Sequence, residues 1–230
     1  MSQYIQQRPE HNRTVVRQYC GTWNIMPLLL LIRHGENDYS KKMRLAGRIP
    51  GVRLNERGRK QAEELGQALA HSPLKAVYSS PLERALETAA PIAKVHRLKV
   101  IRESGLLEAD VGTWQGKSVR RLALTSYWRV IQRAPSRARH PDGESFVELQ
   151  ARIVSVLDRI CAEYKPRDLI ACVFHADPIK LAVAHYLGLP LDHFQRLACD
   201  TGSVSLLQIG EASAHLIKLN QRPPFEFLKK

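Results

Sequence analysis

Residues 28–36 read Leu28-Leu29-Leu30-Leu31-Ile32-Arg33-His34-Gly35-Glu36, an apolar run that ends abruptly in a cation, an imidazole, a glycine and a carboxylate. Arg33 beside His34 suits an oxyanion, because a guanidinium can anchor charge while an imidazole attacks or shuttles protons. Three more positions carry chemistry-bearing side chains just past expected strands or at helix starts: Arg84, Glu108 and His175. Each alone has an ordinary explanation. A single histidine after a strand often only satisfies local hydrogen bonds, Arg84 could be a solvated helix residue, and Glu108 a surface carboxylate.

Together they fit phosphoryl transfer through a histidine. A phosphate monoester dianion needs several fixed donors, which two arginines and a second imidazole supply. His34, neutral at the attacking nitrogen, would strike phosphorus in line with the leaving group. Glu108 as a carboxylic acid would protonate the departing alkoxide, and as a carboxylate would then activate water. Asn37, shortly after His34, is a further candidate phosphate contact. With arginines neutralising the charge, the scheme needs neither metal nor cofactor.

These residues need an element behind each of them. The run 28–32 suits a strand buried on both faces of a parallel sheet, and open α/β sheets bind ligands beyond the carboxyl ends of their strands. Ala62, Leu65, Ala68 and Leu69 fall on one face of a helix over 56–70. Lys75–Ser79 reads as a strand. Pro81 should open a helix over 82–95, which Pro91 should kink or break. Lys99–Arg102 is a further short strand. Phe146, Leu149, Ile153, Val156, Leu157 and Ile160 keep helical spacing over four turns. Residues 168–174 form a second apolar strand ending at His175, and Asp177-Pro178 should start a helix with Asp177 as its N-cap and no chemical role. Two strands, 203–209 and 214–219, close the pattern through Gly210.

This alternation predicts an α/β three-layer sandwich with a mostly parallel central sheet and helices on both faces. Residues 1–25 read as an N-terminal extension, either a disordered tail or a start site placed too early with Met26 the true first residue. Residues 26–222 form the one domain and 223–230 a short tail. The weaker pattern over 113–141 reads as a lid over the carboxyl edge of the sheet. Trp114, Tyr127, Trp128 and the arginines from 129 to 139 either select substrate there or close a small secondary core.

Composition narrows the partners. The chain of 230 residues is 44% hydrophobic and 25% charged, a soluble globular profile, with 35 Lys and Arg against 22 Asp and Glu and a net charge of +13. Such a balance favours phosphorylated metabolites, nucleic acid or acidic lipid. The densest basic stretch, 129–140, has one aromatic neighbour upstream and no module signature, which counts against nucleic acid. No run approaches the ~18 apolar residues of a membrane span, and residues 1–25 lack the apolar core of a secretory signal. Cys20, Cys161, Cys172 and Cys199 show no metal-site spacing, which fits a reducing cytoplasm. An exposed edge strand near 203–219 would permit pairing as a homodimer.

The sequence also resembles the histidine phosphatase superfamily, in its phosphoglycerate-mutase-like branch. The matching pieces are Arg33-His34-Gly35-Glu36, residues 45–58 with Gln61-Ala62, residues 79–89 (Ser-Ser-Pro-Leu-Glu-Arg-Ala-Leu-Glu-Thr-Ala), residues 107–116 and Val173-Phe174-His175, in order over about residues 28–210. The resemblance implies that His34 is the phosphorylated nucleophile, that Arg33, Arg84 and His175 surround the phosphate, and that Glu108 is the proton donor. The stretch from His175 to Ser205 looks like a subgroup named for phosphomutase activity.

Three positions depart from the family pattern. Ser40 replaces an asparagine that often contacts phosphate six residues after the nucleophile, and it can still donate one hydrogen bond. Bisphosphoglycerate-dependent mutases carry an arginine after the glutamate and an aromatic before the next glycine, where this chain has Ala109 and Val111. Asp177 replaces a small residue, and turned inward it would repel a dianion. The expected function is a metal-independent phosphomonoesterase acting on a small phosphorylated metabolite. The alternatives are a phosphoglycerate mutase on the same site and a non-catalytic phospho-ligand or nucleic-acid binding protein.

Overall fold

The computed structural model describes residues 27–210 and 213–225. The expectations for residues 1–25 and for most of the 223–230 tail lie outside the described residues. Six strands form one sheet: β1 (Leu28–Arg33), β2 (Leu74–Ser79), β3 (Val100–Arg102), β4 (Leu169–Phe174), β5 (Val204–Ile209) and β6 (Ala214–Gln221), in the order β3-β2-β4-β1-β5-β6. The four on one side run parallel, whereas β5 runs antiparallel to both β1 and β6. The sheet is therefore mostly parallel, as expected.

Helices α1 (Asp38–Lys41), α2 (Glu56–Leu69), α3 (Glu83–Val95), α4 (Val119–Leu122), α5 (Ser126–Arg133), α6 (Phe146–Ala162) and α7 (Ala176–Tyr186) complete the chain, with short 3-10 turns between them. Alternate residues of β1 feed two separate cores. Leu29 and Leu31 pack with α6 and α7, whereas Leu30 and Ile32 pack with α2 and α3. Two buried faces are why the run 28–32 carries no polar interruption. No helix among the described residues is long and apolar enough to cross a membrane.

Register sets the level of the site. Arg33 pairs with Phe174 across β1 and β4, and Ser79 pairs with Val173 across β2 and β4. His34, His175 and Ser80 therefore leave three adjacent parallel strands at one height.

Several local expectations are corrected. Helix α3 is not broken at Pro91, which lies inside it close against Gly66 of α2, where an added Cβ would stand 3.1 Å from Pro91. Packing between α2 and α3 holds the helix although Pro91 donates no hydrogen bond. Pro81 lies one residue before the N-cap, Leu82, outside the helix. Asp177 is not an N-cap: α7 starts at Ala176, and the extended His175 occupies the cap position without a side-chain cap bond. Strand β5 is interior, so only β6 is an edge on that side.

The segment 113–141 folds as α4, α5 and two 3-10 turns. Trp114 is buried against Tyr127, Trp128 and His140, with ring centroids 5.8–6.1 Å apart. These aromatics do not close a separate small core: Trp114, with Leu122, Ile131 and Ala138, joins the main core that also holds Leu29, Leu31 and Phe146, and Trp128 packs against it.

Candidate active site

The loop after β1 is pinned from three sides. The His34 N–H donates to the Phe174 carbonyl at 3.0 Å, and the Gly35 N–H to Thr88 Oγ1 at 3.0 Å. The Glu36 N–H donates to Gln61 Oε1 at 2.8 Å, while the Glu36 carboxylate accepts from Asn55 and Arg57. Glu36 therefore holds the loop against the start of α2 and takes no part in the pocket. A Cβ on Gly58 would come 2.0 Å from the Glu36 carbonyl, so only glycine permits this approach.

His34 Nδ1 lies 2.7 Å from the Gly35 carbonyl, which places the ring proton on Nδ1 and the lone pair on Nε2. That lone pair accepts from Arg84 Nε at 3.3 Å. Burial first, and then the Arg84 and Arg33 cations, hold the His34 pKa well below the usual histidine value. The result is a neutral imidazole whose unprotonated Nε2 is held by Arg84 in the free protein; such a nitrogen can act as a nucleophile once the guanidinium turns to another acceptor.

Arg84 is 1% exposed and has no carboxylate partner within ion-pair distance. One terminal nitrogen donates to the Gly47 carbonyl at 2.8 Å, and the other has no partner. Arg33 donates to the Cys199 carbonyl at 2.6 Å, and its Nε is unpartnered. His175 is fully buried, with its ring centroid 5.1 Å from that of His34. Its Nε2 lies 2.9 Å from Ser80 Oγ, and its Nδ1 is unpartnered. With the Ser80 hydroxyl donating, the proton stays on Nδ1. Among the described residues, four buried side-chain polar atoms lack a partner, and these three are among them.

Such orphan donors are costly in an empty interior. Arg33 and Arg84 line a cavity of about 270 Å³ together with His34, Asn37, Ser40 and Glu108, and Arg44 and Val119 also border it. The structure thus brings together every residue singled out from the sequence, with His175 directly behind the cavity wall.

Asn37 and Ser40 line the cavity while also capping α1. Asn37 Oδ1 accepts the Ser40 N–H, and Ser40 Oγ accepts the Asn37 N–H and donates to the Asn37 carbonyl. The Ser40 proton is thereby already engaged.

Glu108 stands across from the arginines. Its Oε1 accepts the Ala109 N–H at 2.9 Å, and its Oε2 lies 3.9 Å from His175 Nδ1. Burial and then the Asp177 charge push its pKa up to about 7, against the opposing pull of Arg84. A carboxyl group poised near neutrality can both give and take a proton.

The sequence pattern described as the histidine phosphatase superfamily (branch 1) matches residues 29–222. The chain belongs to that superfamily. It is 31% identical over 198 residues to phosphoserine phosphatase 1 of Hydrogenobacter thermophilus, covering 85% of this chain and 92% of the relative. It is 28% identical over 185 residues to a 2,3-bisphosphoglycerate-dependent phosphoglycerate mutase of Thermoplasma acidophilum, covering 80% and 88%. Among solved structures, the alpha-ribazole phosphatase of Shigella flexneri superposes with a TM-score of 0.75 at 28% identity, covering 85% of this chain and 96% of that one.

Within this histidine phosphatase site, sequence reasoning passed over three contributors. Asp177 lines the cavity, its carboxylate 2.8 Å from Lys180 Nζ, and Lys180 is held in turn by Gln195. That cation lowers the cost of placing a carboxylate near an anion site. Ser80 supports His175. Arg152 donates to the carbonyls of Gly105, Leu107 and Glu108 and pairs with Glu144, clamping the loop that carries Glu108. One signal for Arg152 was present: it sits three residues after Leu149 and four before Val156, a cation on an apolar helix stripe.

Proposed function

We propose that this histidine phosphatase superfamily member is a phosphomonoesterase that hydrolyses a small phosphorylated metabolite through a phosphohistidine on His34. The observation that supports this most is the buried Arg84 guanidinium, with no ion-pair partner among the described residues, bonded to Nε2 of a neutral His34. Glu108 and Glu83 attract it only at longer range, so this buried cation lacks a close counter-charge in the free protein. A phosphate dianion placed between Arg84, Arg33 and His175 Nδ1 would supply that charge and present phosphorus to Nε2.

In the first step, the Nε2 lone pair forms a bond to phosphorus as the bond to the ester oxygen breaks. The leaving alkoxide takes the proton of Glu108, and the phosphoryl oxygens stay on the arginine and His175 donors. Glu108, now a carboxylate, takes a proton from water as that water attacks phosphorus. The P–N bond breaks, the electrons return to Nε2, and inorganic phosphate leaves. Asn37 Nδ2 and, after release from its cap, Ser40 are the further donors in this scheme. The protein's own cations carry the charge, so the reaction calls for no metal and no cofactor.

A mutase would use the same phosphohistidine, and the similarity to the Thermoplasma acidophilum mutase favours keeping that reading second. The cavity wall beside Glu108 carries Ala109 and Val111, two small apolar side chains that cannot grip a substrate carboxylate. This supports water as the acceptor. Intact His34, Glu108 and His175 in turn favour an enzyme over a non-catalytic binder.

The test is a panel of phosphorylated metabolites with and without EDTA, coupled to rapid acid and alkali quenches with labelled substrate. The expected result is EDTA-resistant phosphate release and an alkali-stable, acid-labile label on wild type that is missing from His34→Ala. Activity lost with EDTA, or label retained by His34→Ala, overturns the proposal. Isomerisation of 3-phosphoglycerate faster than phosphate release would replace hydrolysis with mutase activity.

A further inference from the structure

The excess charge of this chain is not spread evenly. From Val111 to Pro141 there are seven cations, Lys117 and six arginines, and no Asp or Glu at all. This is the segment that folds as α4 and α5 beside the mouth of the cavity, to which it contributes Val119. Arginines elsewhere are often neutralised: Arg48, Arg53, Arg57, Arg152, Arg159 and Arg222 each pair with a carboxylate. Within the segment Arg139 pairs with Glu148, but Lys117, Arg120, Arg121, Arg129 and Arg133 form no ion pair and no side-chain hydrogen bond among the described residues. Like charges held this close raise the energy of the free surface and favour an anionic partner.

The same face exposes apolar groups. Leu124, in the link between α4 and α5, is 88% exposed, and Val130, on the flank of α5 between its buried and cationic sides, is 39% exposed. In α5 the buried residue is Ile131, and Arg129 and Arg133, two positions to either side, point the opposite way at about 100° per residue. A protruding leucine flanked by unpaired cations is the pattern of an interfacial contact, with apolar groups entering the headgroup boundary and cations meeting lipid phosphates.

We propose that the α4–α5 face docks on an anionic phospholipid bilayer. Other occupants fit less well. A second copy would set the same cations against each other. Residues 1–26 carry three arginines and one glutamate, so that segment is also cationic. Single-stranded nucleic acid would use exposed aromatic platforms, yet the apolar groups offered are mainly aliphatic. The Tyr127 ring packs on Trp114 and its hydroxyl is bonded to the Arg139 backbone. The docking is independent of the catalytic reading, since none of these residues contacts the phosphate site.

The full chain is sedimented with vesicles of phosphatidylcholine alone and with phosphatidylglycerol added, and titrated in parallel against single-stranded RNA. The expected result is binding to the anionic vesicles only, weakened by salt. Arg120→Glu with Arg121→Glu should weaken it by roughly tenfold or more, and Leu124→Ala by about fivefold. Hydrolysis of a soluble phosphomonoester should be unchanged in both variants, which also reports that they fold, and His34→Ala should bind vesicles like wild type. Absence of vesicle binding, equal binding to neutral vesicles, or full binding by the double variant overturns the proposal. Unchanged binding by Leu124→Ala reduces the contact to charge adsorption and overturns it too. RNA binding without vesicle binding assigns the face to nucleic acid instead.

Discussion

Glu108 Oε2 lies 3.9 Å from His175 Nδ1, too far for a hydrogen bond and close enough for both to face one small ligand. One group accepts or gives a proton at a carboxyl oxygen, and the other offers an N–H that nothing in the free protein uses. At 3.9 Å no atom fits between them, so a ligand would have to meet both from one side, which gives the two residues separable roles.

Glu108→Gln removes the proton donor and keeps the shape. Turnover of alkyl phosphates should fall by roughly 10²–10⁴-fold, whereas p-nitrophenyl phosphate, whose phenolate leaves without help, should lose far less. Steady-state rates on both substrates check this, and equal losses would remove Glu108 as the acid.

The pH profile should be bounded by these groups. His34 must be neutral and titrates well below 6.5, so the acid limb lies below that value. Glu108 must be protonated for the first step, so the rate with alkyl substrates should fall as pH rises through about 7. Asp177→Asn removes the neighbouring charge that raises Glu108, so the alkaline limb should move to lower pH. A limb that stays in place in this variant would rule out that electrostatic link. Stability follows the same sign. Glu108 binds its proton more tightly folded than unfolded, so its contribution is full below the unfolded value of 4.5 and declines as pH rises through about 7.

Arg84→Met separates function from stability. Arg84 is buried without a close ion-pair partner, so its loss should change Tm little, while kcat/KM falls by about 10³-fold or more. In wild type, inorganic phosphate should raise Tm by binding only the folded state, and this rise should vanish in the variant. Thermal melts with and without phosphate check both halves.

Arg152→Ala should unclamp residues 105–108 without touching the cavity. Loss of its bonds to three carbonyls should cost about 1–3 kcal/mol of stability. The activity loss should fall on kcat with alkyl substrates more than on KM, because Glu108 is misplaced and the phosphate donors are not. Arg152→Lys, which keeps the charge but not the fork, should recover only part.

The elements were legible in sequence wherever the signal is local. The unbroken aliphatic run of β1, the Ala62–Leu69 face of α2 and the four-turn stripe of α6 each follow from the period at which a chain buries its apolar side chains. The candidate site residues were legible less directly: each alone had an ordinary explanation, and His34, Arg33, Arg84, Glu108 and His175 stood out only as a set and through the family resemblance of the segments that carry them. By itself, then, the sequence determined the layered α/β plan and the superfamily. The tertiary structure decided what depends on partners distant in the chain. It set the Arg33–Phe174 register that levels the two imidazoles, carried α3 through Pro91 by packing on Gly66, turned Asp177 from a helix cap into a wall of the cavity beside Lys180, and placed Arg152 under the Glu108 loop. Each is a contact between segments brought together only by folding, and local periodicity carries no information about which distant surface a side chain will meet.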